Sequence, residues 1–322
     1  MADALKDEIV TVFGGSGFLG RHVVQALAKR GYRIRPAVRR PDLAVHLLPL
    51  GLPGQILPVQ SNLRFPASVA RAVDGASVVI NLVGLLAPGG KQSFEAVQAA
   101  GAHVVAEASS KAGVGRFIHV SAIGASDKSD SGYARTKAKG EAAVKAFYPE
   151  AVIFRPSVMF GPEDKFFNMF ATLARFLPFL PAIGADTKLQ PVFVADVAEA
   201  IARAVDGLVA PGVYELGGPE IKTVRECLDI VNVETGRSRP VVTITPSTAT
   251  LMAKLTGWLP GAPITEDQVK LLQVDNIVSR EAIEAGRTLE GLGIRATNLE
   301  AILPTYLDRF RATGQFADRR LA

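Results

Sequence analysis

Between residues 14 and 20 the chain reads Gly14-Gly15-Ser16-Gly17-Phe18-Leu19-Gly20, with glycine recurring at Gly14, Gly17 and Gly20. A loop of this kind can hold an anionic phosphate. Gly14 permits a tight turn and Gly17 lets the backbone approach a pyrophosphate. Gly20 lets the next helix pack close to the preceding strand, so that backbone N–H groups and the helix dipole face the anion. The flanks agree: Ile9–Phe13 is a β-rich apolar run, and Arg21 to Arg30 carries Val23, Val24 and Leu27 on one helical face. Strand, glycine loop and helix is the order that a dinucleotide site requires. Ser16, Phe18 and Leu19 are the remaining loop residues expected against the cofactor.

Two arginines bear on which dinucleotide fits. A site for NAD(H) usually offers Asp or Glu to the ribose 2′-hydroxyl at the end of the second strand, whereas this chain reads Ala37-Val38-Arg39-Arg40. A guanidinium fork holds a 2′-phosphate and gains little from a hydroxyl, which favours NADP(H), with Arg21 as a helper. The competing reading leaves Arg39 and Arg40 as solvated loop charges.

A third constellation is Tyr133-Ala134-Arg135-Thr136-Lys137, inside a helical pattern that continues through Glu141 and Val144. The spacing puts phenol and ammonium on one helix face. A phenol has an ordinary pKa of about 10 and needs such a neighbour to exchange protons near neutral pH. The histidines His22, His46, His103 and His119 show no ligand spacing, so no metal site is expected.

These residues need a scaffold. The chain has 322 residues, 48% hydrophobic and 21% charged, which excludes disordered and fibrous classes and allows one large core plus a smaller lobe. Ile9–Phe13, Arg33–Val38, Val78–Val83, Arg116–Val120 and Val152–Pro156 alternate with helical periods such as Ser93 to Ala108. That alternation predicts βαβ units and an α/β fold with a doubly wound parallel sheet, the Rossmann arrangement. The expected division is a cofactor-binding domain over 1–160, rejoined by 190–207, and a smaller interleaved C-terminal lobe over 161–322. In this reading Val192–Val194 returns to the sheet and Val197–Val205 is a helix. The lobe is expected to hold helices at Thr223–Thr235, Thr265–Val274 and Asn298–Ala312 and a strand at Val241–Thr245.

The lone cysteine, Cys227, forms no internal disulfide and is expected to be a half-buried helix residue. Phe166 to Ile183 and Thr250 to Ile264 are interrupted by Arg175, Lys254 and prolines, so no transmembrane segment is expected. The stretch before Ile9 is too short and acidic for a leader, which points to the bacterial cytoplasm or the inner face of the membrane. A net charge of +5, with Arg309, Arg311, Arg319 and Arg320 near the end, suits an anionic cofactor. No aromatic-interleaved basic stripe argues for nucleic acid.

The glycine spacing resembles the extended and atypical branches of the short-chain dehydrogenase/reductase family. Four further segments narrow the likeness. They are His119-Val120-Ser121-Ala122-Ile123-Gly124-Ala125; Arg155-Pro156-Ser157-Val158-Met159-Phe160-Gly161-Pro162-Glu163-Asp164 with Phe166-Phe167-Asn168; Gln190-Pro191-Val192-Phe193-Val194-Ala195-Asp196-Val197-Ala198; and Tyr214-Glu215-Leu216-Gly217-Gly218-Pro219. Together they closely resemble the alpha-subcomplex subunit 9 family of respiratory complex I, the NADH:ubiquinone oxidoreductase. The likeness runs over nearly the whole chain and is most specific from Arg155 to Asn168.

The resemblance implies a tightly held NADPH and a place on the peripheral arm of complex I near the membrane and the quinone entry. It implies that Tyr133 is a general acid/base and that Lys137 lowers its pKa and binds the nicotinamide ribose. Asn62-Leu63 stands where the family often has Asp-Leu against the adenine, and Pro156 and Val158 fall near the nicotinamide. Leu82, Val83 and Gly84, which close the third long β-run, complete the expected cofactor contacts. The register of extended members puts the third catalytic hydroxyl at Ala122, one residue after Ser121. Either Ser121 substitutes through a local bulge, or the chain keeps the cofactor clamp without the group that polarises a carbonyl. Phe166, Phe167, Phe170, Phe176 and Phe179 read either as core of the second lobe or as a peripheral membrane contact, the first being favoured.

Three functions fit these residues. One is an accessory or assembly-type subunit, linked to complex I or quinone metabolism, with NADPH as a structural ligand. The second is an NADP(H)-dependent oxidoreductase acting on a quinone-related or isoprenoid carbonyl. The third, a sugar-nucleotide epimerase or dehydratase, is weakened by the arginine pair and by Ala122.

Overall fold

Ile9–Phe13 is apolar except for Thr11, whose hydroxyl donates to the carbonyl of Ala72 at 2.9 Å, so the run can be covered on both faces. The computed structural model, which describes residues 5–90, 92–256, 265–311 and 314, makes it an interior strand of a parallel sheet. In chain order the strands are β1 (Ile9–Phe13), β2 (Arg33–Val38), β3 (Val59–Gln60), β4 (Val78–Asn81), β5 (Arg116–Val120), β6 (Val152–Pro156), β7 (Met159–Phe160), β8 (Leu180–Ile183), β9 (Lys188–Leu189), β10 (Val192–Phe193), β11 (Gly212–Leu216), β12 (Lys222–Thr223) and β13 (Val241–Ile244). The helices are α1 (Phe18–Lys29), α2 (Pro66–Val73), α3 (Ala100–Lys111), α4 (Gly132–Phe147), α5 (Phe166–Phe176), α6 (Val194–Val205), α7 (Val224–Glu234), α8 (Pro246–Thr256), α9 (Glu266–Leu271), α10 (Arg280–Glu284) and α11 (Leu299–Leu307).

Seven strands form the large sheet in the order β11-β6-β5-β4-β1-β2-β3, all paired parallel. This is the doubly wound sheet the alternation predicts. The strand order reverses between β1 and β4, and in open parallel sheets the crevice past that reversal is where ligands bind. The glycine loop leaves β1 and Leu82–Gly84 leave β4, so both flank it. Val69, Val73, Val105, Phe117, Val144 and Ile153 lie in a core beside the sheet. Fully burying side chains of this size stabilises the fold by about 1.5–3 kcal/mol each.

The chain divides into two compact units: 1–156 with 195–216 and 280–294, and 157–194 with 217–279 and 295–322. In the first, Arg30 at the end of α1 bonds Asp206 (2.9 Å) and Glu199 (2.7 Å), and Tyr32 donates to Asp206 (2.9 Å), which ties α6 to the β1–β2 connection. In the second, Phe160, Phe167, Leu180, Leu228 and Leu303 share a core. Thr223 and Glu226 cap α7 reciprocally, a capping box. The same unit explains two of the shared segments: Gln190 donates to the carbonyl of Gly218 and accepts from the N–H of Val278, and a Cβ on Gly217 would lie 2.4 Å from the Gln190 amide.

Several expectations need correction. Val192–Phe193 does not return to the large sheet; it pairs with Met159–Phe160. Pro191 offers no N–H and α6 begins at Val194, which leaves too little chain for a longer strand. The seventh sheet strand is instead β11, an edge strand with a weak alternation of burial. Arg280–Ile294 also belongs to the first unit rather than to the C-terminal lobe. Cys227 is fully buried, and burial pushes its thiol up to about 12. The phenylalanine run splits: Phe167 and Phe170 are core, whereas Phe176 is 74% exposed. Arg319 and Arg320, Ala312 at the end of the last expected helix, and the end of the Thr250–Ile264 stretch (257–264) lie outside the described residues. Among the described residues no helix is long and apolar enough to cross a membrane.

Candidate functional site

The glycine loop has the backbone that its spacing demands. Gly14 takes φ +81°, a conformation that side chains disfavour, and its carbonyl accepts from the Gly17 N–H at 3.0 Å. A Cβ on Gly20 would sit 2.2 Å from that carbonyl oxygen, so only glycine lets α1 approach the loop so closely. A Cβ on Gly17 meets only the same oxygen, at 3.2 Å. No side chain caps the start of α1, which leaves first-turn N–H groups free for an anion. Ser16 and Phe18 are half-buried, with Phe18 edge-on to His22, and Leu19 turns inward to the core.

The two arginines after β2 differ. Arg40 lays its guanidinium on Asp42 in paired hydrogen bonds (Nε to Oδ1 2.9 Å, Nη2 to Oδ2 2.6 Å), and this pairing holds the Asp42 carboxyl below its usual range. Arg39 is exposed and enters none of the described ion pairs. Asn62, beyond β3, uses its Oδ1 to accept from the Arg64 N–H at 3.1 Å, a local turn that positions Leu63 against Gly101 of α3.

Across the reversal, Asn81 Oδ1 accepts from the Val83 N–H at 3.1 Å and shapes the turn through Leu82 and Val83 to Gly84. A Cβ on Gly84 would stand 3.2 Å from Lys137 Nζ, so the glycine opens space for the ammonium. Ser131 caps α4 through its Oγ and the Ala134 N–H. One turn on, Lys137 is buried; its Nζ donates to the carbonyl of Val120 at 3.1 Å and lies 5.9 Å from the centre of the Tyr133 ring. Burial lowers its pKa to about 8, partly offset by Glu141. Tyr133 is half-buried and packs edge-on against Phe94 at 5.9 Å. The structure therefore brings Gly84, Tyr133 and Lys137 together.

Ser121 is placed differently. Its N–H donates to Phe154 (2.7 Å) and that of Ile123 to Pro156 (3.1 Å), so pairing with β6 continues at the regular two-residue step past Val120 and no bulge intervenes. Its Oγ is fully buried and has no hydrogen-bond partner, while Ala122 takes the alternate face. Pro156 ends β6 opposite Leu216 in the first unit. Val158 lies in the second unit, where its N–H donates to Asn276 Oδ1 at 3.2 Å.

Sequence reasoning missed the polar residues packed around Lys137. Glu141, one turn along α4, is buried and accepts both arms of Arg155 of β6, each at 2.8 Å. Gln98 sits on a π-helical turn (Glu95–Ala99) ahead of α3; it donates to the Leu85 carbonyl (2.8 Å) and accepts from Thr136 Oγ1 (2.7 Å). The available signal was a buried polar residue at helical spacing from Lys137, which only Glu141 satisfies.

These features fit a dinucleotide: uncapped N–H groups behind an obligatory glycine turn, a free guanidinium at the end of β2 and a buried ammonium beside Gly84. Residues 10–217 match the NAD dependent epimerase/dehydratase family. The chain belongs to that family. It is 35% identical over 297 residues to NADH dehydrogenase [ubiquinone] 1 alpha subcomplex subunit 9, mitochondrial, of Rattus norvegicus, spanning 91% of this chain and 78% of that one. The likeness to the subunit 9 family read from the sequence is borne out. The chain is also 38% identical to a ceramide reductase of Caulobacter vibrioides over 191 residues, 59% of this chain and 58% of that one. Among solved structures, the NADPH-dependent quinone oxidoreductase of Escherichia coli complexed with NADPH shares the fold, with a TM-score of 0.71 at 20% identity over 92% of this chain and 98% of that one. Among the described residues no three His, Cys, Asp or Glu gather as metal ligands.

Proposed function

We propose that this family member holds NADP(H) as a retained structural ligand and serves as an accessory or assembly-type subunit of NADH:ubiquinone oxidoreductase, respiratory complex I, or of the quinone metabolism attached to it. The observation that carries the cofactor choice is Arg39: an exposed guanidinium stands at the end of β2, where NAD(H) would call for a carboxylate. Gly14, Ser16, Gly17 and Gly20 would cradle the pyrophosphate, Asn62 and Leu63 the adenine, and Leu82, Val83, Gly84 and Lys137 the nicotinamide half. The partner rests on the subunit 9 relatives, among them the rat protein, whose likeness spans nine-tenths of the chain. Net positive charge and the exposed Phe176 suit a site beside a membrane surface, inside a bacterial cell. A ligand held well above its dissociation constant adds several kcal/mol to stability.

The test is the nucleotide released on denaturing the purified protein, together with what co-purifies from membranes. NADPH at near one per chain, and complex I subunits in the pull-down, are expected. Released NADH, or a chain that purifies empty and binds NADPH only weakly, sinks the reading.

A second reading is favoured by Tyr133 and Lys137 sharing one face of α4 and by the ceramide reductase likeness. Here the protein is an NADP(H)-dependent oxidoreductase of a lipid or quinone-related carbonyl. Tyr133 would protonate the carbonyl oxygen, and Lys137 would hold the cofactor ribose and ease loss of the phenolic proton, a bound NADPH being the group that would supply the hydride. The buried Ser121 hydroxyl is what counts against it. Tyr133→Phe that abolishes a measured turnover while leaving NADPH bound would establish this reading over the first.

A further inference from the structure

Behind Lys137 lie polar atoms that no protein group satisfies. His119 is buried in β5 and both its ring nitrogens lack a hydrogen-bond partner. The Oγ of Ser121 is in the same condition two residues on, and strand alternation puts it on the same face. Lys137 comes down on this face from α4: Nζ bonds the carbonyl of Val120, the residue between them. Burial first, and then the charge of Lys137, keep the imidazole neutral with its pKa down to about 3. The other charged groups around Lys137 are already matched, Glu141 on α4 with Arg155 on β6. Gln98 spends its amide on Leu85 and Thr136.

Buried polar atoms in native interiors are satisfied by protein or by internal water, and here the protein supplies nothing. We propose that His119 and Ser121 hold internal water against the Lys137 ammonium, which makes His119 a positioning residue for the cofactor clamp. A neutral imidazole offers one donor and one acceptor, and an ammonium has three donors. One Lys137 proton goes to Val120, a second to the water, and the third stays aimed at the ribose. The inference rests on reading Lys137 as a cofactor ligand.

The experiment compares NADPH affinity in the full-length protein and its His119→Phe and His119→Gln variants, beside a high-resolution crystal structure of the parent. His119→Phe refills the volume but bonds no water, and is expected to weaken NADPH about tenfold, the worth of one hydrogen bond to a charged group. His119→Gln keeps donor and acceptor and is expected to recover to within about threefold of the parent. A packing role predicts the reverse order, so Phe binding like the parent, or Gln falling as far as Phe, overturns the proposal. So does a crystal structure without water between His119 and Ser121. Should His119→Phe fail to fold, Ser121→Ala gives the same reading: about a threefold loss is expected, and no loss overturns it. NADPH binding that survives Lys137→Ala would instead sink the clamp itself.

Discussion

Arg40 and Asp42 form a closed pair two residues apart, with the guanidinium on the carboxylate through Nε and Nη2, while Arg39 beside them makes no such bond. The pair is exposed, and it leaves Arg39 outside the described ion pairs, as the guanidinium that the proposed reading gives to a 2′-phosphate. Arg39→Ala is therefore expected to weaken NADPH by roughly ten- to a hundredfold, the range of charge-assisted hydrogen bonds, and to leave NADH unchanged. Arg40→Ala is expected to do less. Calorimetric titration of both nucleotides checks this, and equal losses from the two variants would rule out the division of labour.

The two inner glycines separate folding from binding. Gly20→Ala drives a methyl to 2.2 Å from the Gly14 carbonyl oxygen, so α1 must move, and overpacking of this kind costs about 1–3 kcal/mol. Gly17→Ala meets that oxygen at 3.2 Å and fits with a small shift, while its methyl would stand in the path of a pyrophosphate under the proposed cofactor reading. Thermal melts and NADPH titrations should show Gly20→Ala losing both stability and affinity and Gly17→Ala losing affinity alone. An apo Gly17→Ala protein melting as low as Gly20→Ala contradicts the geometry.

How much of this was readable beforehand follows from what each element owes to its neighbours. β1, β2, β5 and β6 are marked by local chemistry: β1 and β2 end before Gly14 and Arg39, β6 ends at Pro156, β5 starts after Gly115, and the ends of all four coincide with those read from the sequence. The glycine loop and the Tyr133–Lys137 spacing are equally local. β11 was missed because an edge strand buried on few positions leaves little periodic signal, and Val192–Phe193 misled because two apolar residues after Pro191 look like a strand wherever they pair. The Arg40–Asp42 closure, the Gln98 turn and the bare atoms of His119 and Ser121 arise from contacts between distant or freely rotating side chains, which no spacing rule encodes.

Lys137 carries a pH signature. Its pKa in the fold is near 8 against an ordinary 10.5, so below pH 8 it is charged in folded and unfolded chains alike, and the cost of burying the charge is fully present. Between about 8 and 10.5 the folded chain gives up the proton first; the unfolded chain then binds more protons, and stability rises with pH. Lys137→Met removes the cost and should stabilise the apo protein at pH 7 by up to about 3 kcal/mol, an advantage that fades by pH 10.5. NADPH affinity of the parent should fall as pH rises through 8. Urea titrations at the two pH values decide it, since a constant difference between parent and variant is incompatible with a depressed Lys137.

Glu141 and Arg155 underpin the same lysine. The carboxylate is buried, receives both guanidinium arms at 2.8 Å, and Arg155 reaches Glu215 of β11 at 3.5 Å as well, so the pair joins α4 to two strands of the sheet. Removing one partner strands a buried charge, whereas removing both strands only the weaker link. Arg155→Met is expected to destabilise by about 3 kcal/mol, and the double variant Glu141→Met/Arg155→Met to recover most of that loss. Function should follow a different pattern. Glu141 is the group that partly offsets the burial of Lys137, so Glu141→Gln lowers the lysine pKa further and moves the pH at which NADPH affinity falls below 8. The double variant should then be stable yet still shifted in its NADPH profile. If its affinity profile instead matches the parent's, Glu141 holds the fold together without setting the charge of the clamp.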